Sequence, residues 1–448
     1  MATNIHYKKS PVDKIAEPFN NFLHRDYAVG VVLILSVIAA LIWANSPYGE
    51  SYHHLWHTPA GVDIGFFSFK QPLHIWINDG LMSIFFFVIG LELKREFMAG
   101  ELSTFRKALL PMGAALGGMI VPALIYVAFN YGQPSINGWG IPMATDIAFA
   151  LALLTVSGRH IPLSLKVFLS ALAVADDMGA VLVIAFFYTA EISWMALAGG
   201  FVLLGVMALM NYLGFRRAYL YCIVGIVVWL FFFYSGIHAT IAGVLTAFTI
   251  PARTKIDEKE YSRTLNNLIG DFDKEIPLNS TLTTANQHTI IEKIKNVSSA
   301  AETPLQKLEY HLHSWVMFII LPIFALSNAG LHLSGDFFKD GINDIMLGVF
   351  FGLLAGKAIG ITFFTYLLVK FRLADLPLGV NFKHVFGVSI LGAVGFTMSL
   401  FISNLAFKDA HMIESAKYAI LLTSVIAGII GVLYLKSLKP KTKVNKVL

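Results

Sequence analysis

Residues 166–189 read KVFLSALAVADDMGAVLVIAFFYT, an apolar run of membrane-spanning length with two adjacent aspartates, Asp176 and Asp177, near its middle. A helix needs about 20 predominantly apolar residues to cross a hydrocarbon core about 30 Å thick. A charge at that depth costs several kcal/mol, so a pair of carboxyl groups there calls for a function.

The rest of the chain is written in the same way. Hydrophobic residues make up 56% and charged residues 14% of the 448, against roughly 45–50% and about 25% in soluble domains. We read twelve spans, at 27–45, 72–97, 107–130, 141–157, 164–189, 193–212, 217–234, 236–250, 311–331, 343–369, 383–407 and 413–435. Such runs are too long for buried strands, and they lack the alternation of a closed barrel. The expected fold is therefore an all-α polytopic membrane protein, with a transmembrane domain at 27–435. The polar stretch 1–26 carries no cleavable signal pattern, so the first apolar run should stay as a helix. The single cysteine, Cys222, excludes an intrachain disulfide or a cysteine-based metal site.

Lys and Arg residues favour the cytoplasmic side. With the N-terminus inside, 28 of the 33 fall in inner segments and four (Lys70, Lys339, Lys408, Lys417) in outer ones, leaving Lys357 within a span. This places both termini, 1–26 and the basic tail 436–448, in the cytoplasm. It also removes nucleic acid as a partner, because the net charge of +5 marks orientation rather than one binding face. Two connections are long. Residues 46–71, with Trp56, Phe66, Phe67 and Phe69, should form an external loop or hairpin. Residues 251–310 should form a cytoplasmic loop, with helical periodicity at His288–Ser298 and either a plain surface role or a regulatory one.

Few ionisable groups lie within the spans: Asp79, Asp146, Asp176, Asp177, His238 and Lys357. Two carboxylates as close as Asp176 and Asp177 disfavour joint ionisation, so the pair can hold a proton near neutral pH. Once ionised, the same oxygens suit a small hard cation. Competition of proton and cation for one site is the chemistry of exchange. The structural alternative is two aspartates held by bundle donors. Lys357 lies in GVFFGLLAGKAIG, where Gly348, Gly352, Gly356 and Gly360 recur every four residues, a spacing that lets helices approach closely. It needs a counter-charge, either Asp176 or Asp177, whether as a fixed partner or as a proton carrier. The fourth span, IPMATDIAFALALLTV, is interrupted by Pro142 and Thr145–Asp146, and the eleventh, VSILGAVGFTMSLFI, by Gly392 and Gly395. Discontinuous helices in corresponding positions of two halves point to a transport site. Their half-helix ends carry partial charge, which Asp146 and Lys357 could balance. Glu92, Lys94, Arg95 and Glu96 cluster at the inner end of the second span, either as a solvated terminus or as a pH-sensing mouth. His238 titrates in a range suited to pH sensing, although a lone histidine is more often simply packed. Asp79, after Asn78, reads as structural.

Taken together, IPMATDIAFAL, LSALAVADDMGA, GLELKRE, SGIHATIAGV, LPIFALSNAG, LLAGKAIGI and VGFTMSLFI resemble the NhaA family of sodium/proton antiporters, in family order, from about residue 12 to 436. That family is itself a known example of inverted-repeat architecture. The resemblance implies twelve helices in inverted repeats, with the broken fourth and eleventh helices crossing at mid-membrane. It implies that Asp176 and Asp177 bind the transported Na+ or Li+ and carry protons, that Thr145 and Asp146 sit at the crossing, and that Lys357 pairs with Asp176. It also implies exchange of internal sodium for external protons with no cofactor, serving sodium and pH homeostasis in a bacterial inner membrane. Further implications are activation at alkaline pH involving Glu92, Arg95, Glu96 and His238, and a homodimer formed partly through 46–71. The 251–310 loop is longer than the family pattern. Three rival readings remain. A sodium-coupled solute symporter would need solute-binding groups beyond Thr and Ser. An aspartyl protease would need two aspartates from different helices, nominally Asp146 and Asp176. A passive channel would conduct without moving protons in exchange.

Overall fold

The computed structural model describes residues 27–438, except 64, 66–67, 159, 190–191, 276–282 and 332–341. The N-terminal stretch 1–26, nearly all of the basic tail, and Phe66, Phe67, Arg159 and Lys339 therefore lie outside the described residues. Among the described residues the elements are helical apart from one antiparallel hairpin. In chain order they are α1 (Ala28–Ala44), α2 (Gly49–His57), strands β1 (Pro59–Asp63) and β2 (Ser68–Pro72), α3 (Leu73–Ala99), α4 (Phe105–Asn130), a 3-10 segment (Pro134–Met143), α5 (Ile147–Val156), α6 (Leu163–Phe187), α7 (Trp194–Tyr212), α8 (Ala218–Ser235), α9 (Thr240–Thr249), α10 (Glu258–Lys274), α11 (Ala285–Ala301), α12 (Pro304–Asn328), α13 (Asp344–Lys370), α14 (Phe382–Leu391), α15 (Phe396–Ala406) and α16 (Ala410–Ser437). Among the described residues eight helices are long and apolar enough to cross a membrane, or up to eleven if each bent pair counts as one span. The eighth expected span, 236–250, holds only the ten-residue α9. Large apolar side chains such as Leu35, Leu124, Phe186, Val202 and Ile226 remain exposed on helix faces, as suits a lipid solvent.

Two compact units divide the chain. One comprises residues up to 85, 96–190 and from 316 onward; the other comprises 86–95 and 191–315. In the first, Leu110, Ala114, Leu154, Phe168, Leu172, Ile361, Val388 and Leu391 form a core. Its closest seam joins α4 to α13. A Cβ on Gly360 would collide with the Gly117 carbonyl oxygen, and one on Gly356 would lie 2.7 Å from Pro122 Cα. The glycine repeat therefore works as its spacing suggests, by letting backbones touch. α13 also carries a π-helical turn at Gly352–Gly356, immediately before Lys357. Such turns are rare and gather at functional sites. A second π turn, Trp76–Leu81, holds Asn78 and Asp79 in α3.

Both interrupted spans are broken. The 3-10 segment meets α5 at 44°, and α14 meets α15 at 51°. Pro142 lacks an N–H and Asp146 caps α5, which explains the first break. Gly392 and Gly395 flank the second. The sequence placed the fourth span at 141–157. In the structure, its first half is instead the 3-10 segment starting at Pro134, because PSINGWG favours tight turns over an α-helix.

The second unit packs Leu91, Leu204, Met207, Tyr221, Val228, Phe232 and Ala247 together. Gly236, at φ 82°, ends α8 in the left-handed conformation that glycine adopts without strain. Among the described residues, the 251–310 stretch contains α10, α11 and the first turns of α12, which begins at Pro304. α11 covers and extends the expected 288–298 segment, while α10 was not anticipated.

Candidate functional site

The site in the first unit is built where the two breaks meet. The Asp146 N–H donates to Val394 O at 2.8 Å, and Thr145 Oγ1 donates to Gly392 O at 2.9 Å. The Asp146 carboxylate caps both following half-helices. Oδ1 accepts from the Phe149 N–H of α5 at 2.9 Å, and Oδ2 accepts from the Thr397 N–H at 3.2 Å and from Thr397 Oγ1 at 2.5 Å. A helix N-terminus presents unpaired N–H groups and a partial positive charge, which one carboxylate can satisfy for two helices here. Other contacts fix the same region. The Phe396 N–H donates to Ser424 Oγ at 3.3 Å, and Ser399 Oγ donates to Ile141 O at 2.9 Å.

α6 brings Asp176 and Asp177 to this place, and α13 brings Lys357. All three are essentially inaccessible, at 1%, 1% and 0% exposure. Lys357 Nζ donates to Asp176 Oδ2 at 2.6 Å. Asp177 is near enough for its charge to act on Lys357. Thr145 lies beside the Asp176 carboxyl group. Asp176 Oδ1 holds no hydrogen bond of ordinary length among the described residues. The structure thus gathers Thr145, Asp146, Asp176, Asp177 and Lys357 around one point. Lys357 finds its counter-charge in Asp176, one of the two carboxylates expected of it. One detail differs: the half-helix carbonyls at Gly392 and Val394, which Lys357 was expected to balance, accept from Thr145 and Asp146 instead. Thr397, the second partner of Asp146, went unnoticed because a threonine in an apolar helix is ordinary. Its signal was the symmetry of the ATD and GFT turns at the two breaks.

In chemical terms this is an all-oxygen donor set beside a titratable ammonium, buried but with one carboxylate oxygen uncommitted. Hard cations take such oxygens. A proton can take the same oxygens, and the Lys357 ammonium neutralises the Asp176 carboxylate.

Each of the four residues expected to respond to pH has a polar partner. In the second unit Arg95 Nη1 pairs with Glu309 Oε1 at 2.6 Å, and Glu92 Oε1 meets His313 Nδ1 at 3.2 Å. Lys94 Nζ donates to Phe248 O and Ile250 O. Glu309 and His313 lie four apart on α12 and so share a face. That spacing was readable in the sequence. Glu96 accepts from the Glu101 N–H, and His238 Nδ1 bonds Thr240 Oγ1. These two bond to groups close in sequence.

Known proteins are similar to this chain over most of its length. The family described as Na+/H+ antiporter 1 matches residues 20–435. A Na(+)/H(+) antiporter NhaA of Oleidesulfovibrio alaskensis is 46% identical over 96% of this chain and 95% of its own. One from Acidithiobacillus ferrooxidans is 47% identical over 93% and 97%, and one from Sulfurimonas denitrificans is 43% identical over 95% and 96%. With the family matched over nearly its full length and relatives of this identity, the chain belongs to the NhaA family of Na+/H+ antiporters, which are transporters rather than enzymes.

Proposed function

We propose that this chain exchanges internal Na+, or Li+, for external H+ by alternating access at Asp176 and Asp177, and so serves sodium and pH homeostasis in a bacterial inner membrane. The observation that carries the reading is the buried Lys357–Asp176 pair beside Asp177, set where two broken helices are bonded to each other. In the inward-facing state the ionised carboxylates take the cation, and Lys357 is released from Asp176. In the outward-facing state protons displace the ion and the pair re-forms. Thr145 offers its hydroxyl oxygen, and Asp146 keeps the two half-helix N-termini together as the site is loaded and emptied. Twelve spans with the broken pair crossing at mid-membrane, both termini cytoplasmic and a homodimer through 46–71 complete the proposal. Membership of the family supports the exchange itself.

The Glu92–His313 contact supports a pH response at the inner end of α3, with Arg95 beside it and Glu96 and His238 as further participants. An imidazole changes charge near neutral pH and faces a carboxylate there.

The test uses everted membrane vesicles with an acid interior and a pH-sensitive dye. Sodium and lithium should collapse the gradient and potassium should not, and Asp176→Asn and Asp177→Asn should be silent. Sodium-driven dequenching that persists in either variant would reject the site. Uptake of sodium with a solute, and no proton movement, would favour the symporter.

A further inference from the structure

We propose that His57 and His74 form a binding site for one late first-row divalent metal ion, of the class of Zn2+ or Ni2+. The hairpin brings them together. β1 and β2 pair from Asp63↔Ser68 to Pro59↔Pro72, and the ladder is closed by the Leu73 N–H donating to Thr58 O at 3.1 Å. His57 ends α2 and His74 follows Leu73, so the two rings stand side by side just beyond the last pair, with centroids 5.0 Å apart. Their planes are tilted by 48°, neither stacked nor edge-on, so ring attraction alone does not account for the arrangement.

Their hydrogen bonds are the second observation. His57 Nδ1 bonds His53 O at 2.8 Å, and His74 Nδ1 bonds Trp56 O at 3.2 Å. A carbonyl only accepts, so Nδ1 carries the hydrogen in both rings, and in the neutral imidazole Nε2 then holds the lone pair. Imidazoles that ligate metals are commonly fixed in this way, one nitrogen donating to a backbone carbonyl while the other binds the ion. Among the described residues neither Nε2 is engaged in a hydrogen bond. Metal–nitrogen bonds of about 2.0–2.1 Å at a tetrahedral angle place two ring centroids about 5 Å apart, which is the spacing found.

α2 is itself firmly held. Buried Tyr52 accepts from the Gly330 N–H at 3.1 Å, and its hydroxyl lies 2.9 Å from Leu326 O and Ser327 O. His57 is exposed and His74 half-buried, so water can complete the coordination. No group of three His, Cys, Asp or Glu suited to a metal occurs among the described residues. The site is therefore a two-imidazole one that selects for nitrogen-preferring ions over Mg2+ or Ca2+. A bound ion would tie the end of α2 to the start of α3.

The test is calorimetric titration of the tag-free, chelator-treated protein in detergent with ZnCl2, and with MgCl2 as control. We expect one saturable zinc site in the micromolar range and no magnesium binding. His57→Gln and His74→Gln should each abolish the zinc site, while His54→Gln should keep it. Zinc binding unchanged in both of the first two variants, or lost equally in His54→Gln, would overturn the proposal. X-ray absorption of the zinc-loaded wild type needs no variant. It should show two imidazole ligands, and fewer than two would equally reject the site.

Discussion

At the scale of single residues, the energetics centre on an ion pair that water cannot reach. Lys357 and Asp176 are both fully covered, so each charge depends on the other. Removing one partner of such a pair costs about 3–5 kcal/mol, whereas replacing both with neutral groups of similar size is often tolerated. Lys357→Ala should therefore lower the detergent unfolding temperature clearly. The double variant Lys357→Met with Asp176→Asn should recover much of that loss without recovering transport. A double variant as unstable as the single one would show that the lysine does not hold the fold through this pair. Asp146 makes a different prediction. Asp146→Ala leaves two N–H groups and the Thr397 hydroxyl without their acceptor, at roughly 1–3 kcal/mol for each buried unsatisfied group. Asp146→Asn keeps an acceptor oxygen. Thermal unfolding should rank wild type above Asn and Asn above Ala. The charged members of the site were legible because a charge in an apolar run stands out. For Thr397, Glu309 and His313 only the local pattern was legible, the GFT turn and the i,i+4 spacing, because their partners lie far away in sequence.

At the scale of elements, the helices that matter are those that depart from regularity. α13 carries its π turn one residue before Lys357, and α4 approaches it backbone to backbone. Gly360→Ala should push α13 away from the Gly117 carbonyl and move Lys357 with it, lowering both stability and transport. Gly205 in α7 meets nothing within 4 Å of its Cβ direction, so Gly205→Ala should be neutral or stabilising by up to about 1 kcal/mol through helix propensity. Equal effects of the two changes on unfolding temperature and exchange rate would contradict the role given to the seam. Periodicity and glycine spacing made the long helices, the α14–α15 break and a close-packed face on α13 readable, but not that α4 is the helix packed there. They could not show the 3-10 form of 134–143, where Pro and Gly read as loop, nor α10, whose charged face hid its helical repeat.

At the scale of the whole molecule, the uneven distribution of Lys and Arg makes a topological prediction. In a Cys222→Ser background, a cysteine replacing Ser262 should react with an impermeant maleimide only from the cytoplasmic side, and one replacing Glu50 only from outside. Both positions are exposed. Labelling of both from one side would invalidate the orientation and, with it, the direction of exchange. The central claim, that sodium and protons compete for the same carboxylates, can be tested without any membrane gradient. Purified protein in a weakly buffered detergent solution with a pH dye should release protons when NaCl is added but not when KCl is added. Asp176→Asn and Asp177→Asn should each release none. Sodium binding without proton release in the wild type, or release unchanged in both variants, would contradict the account.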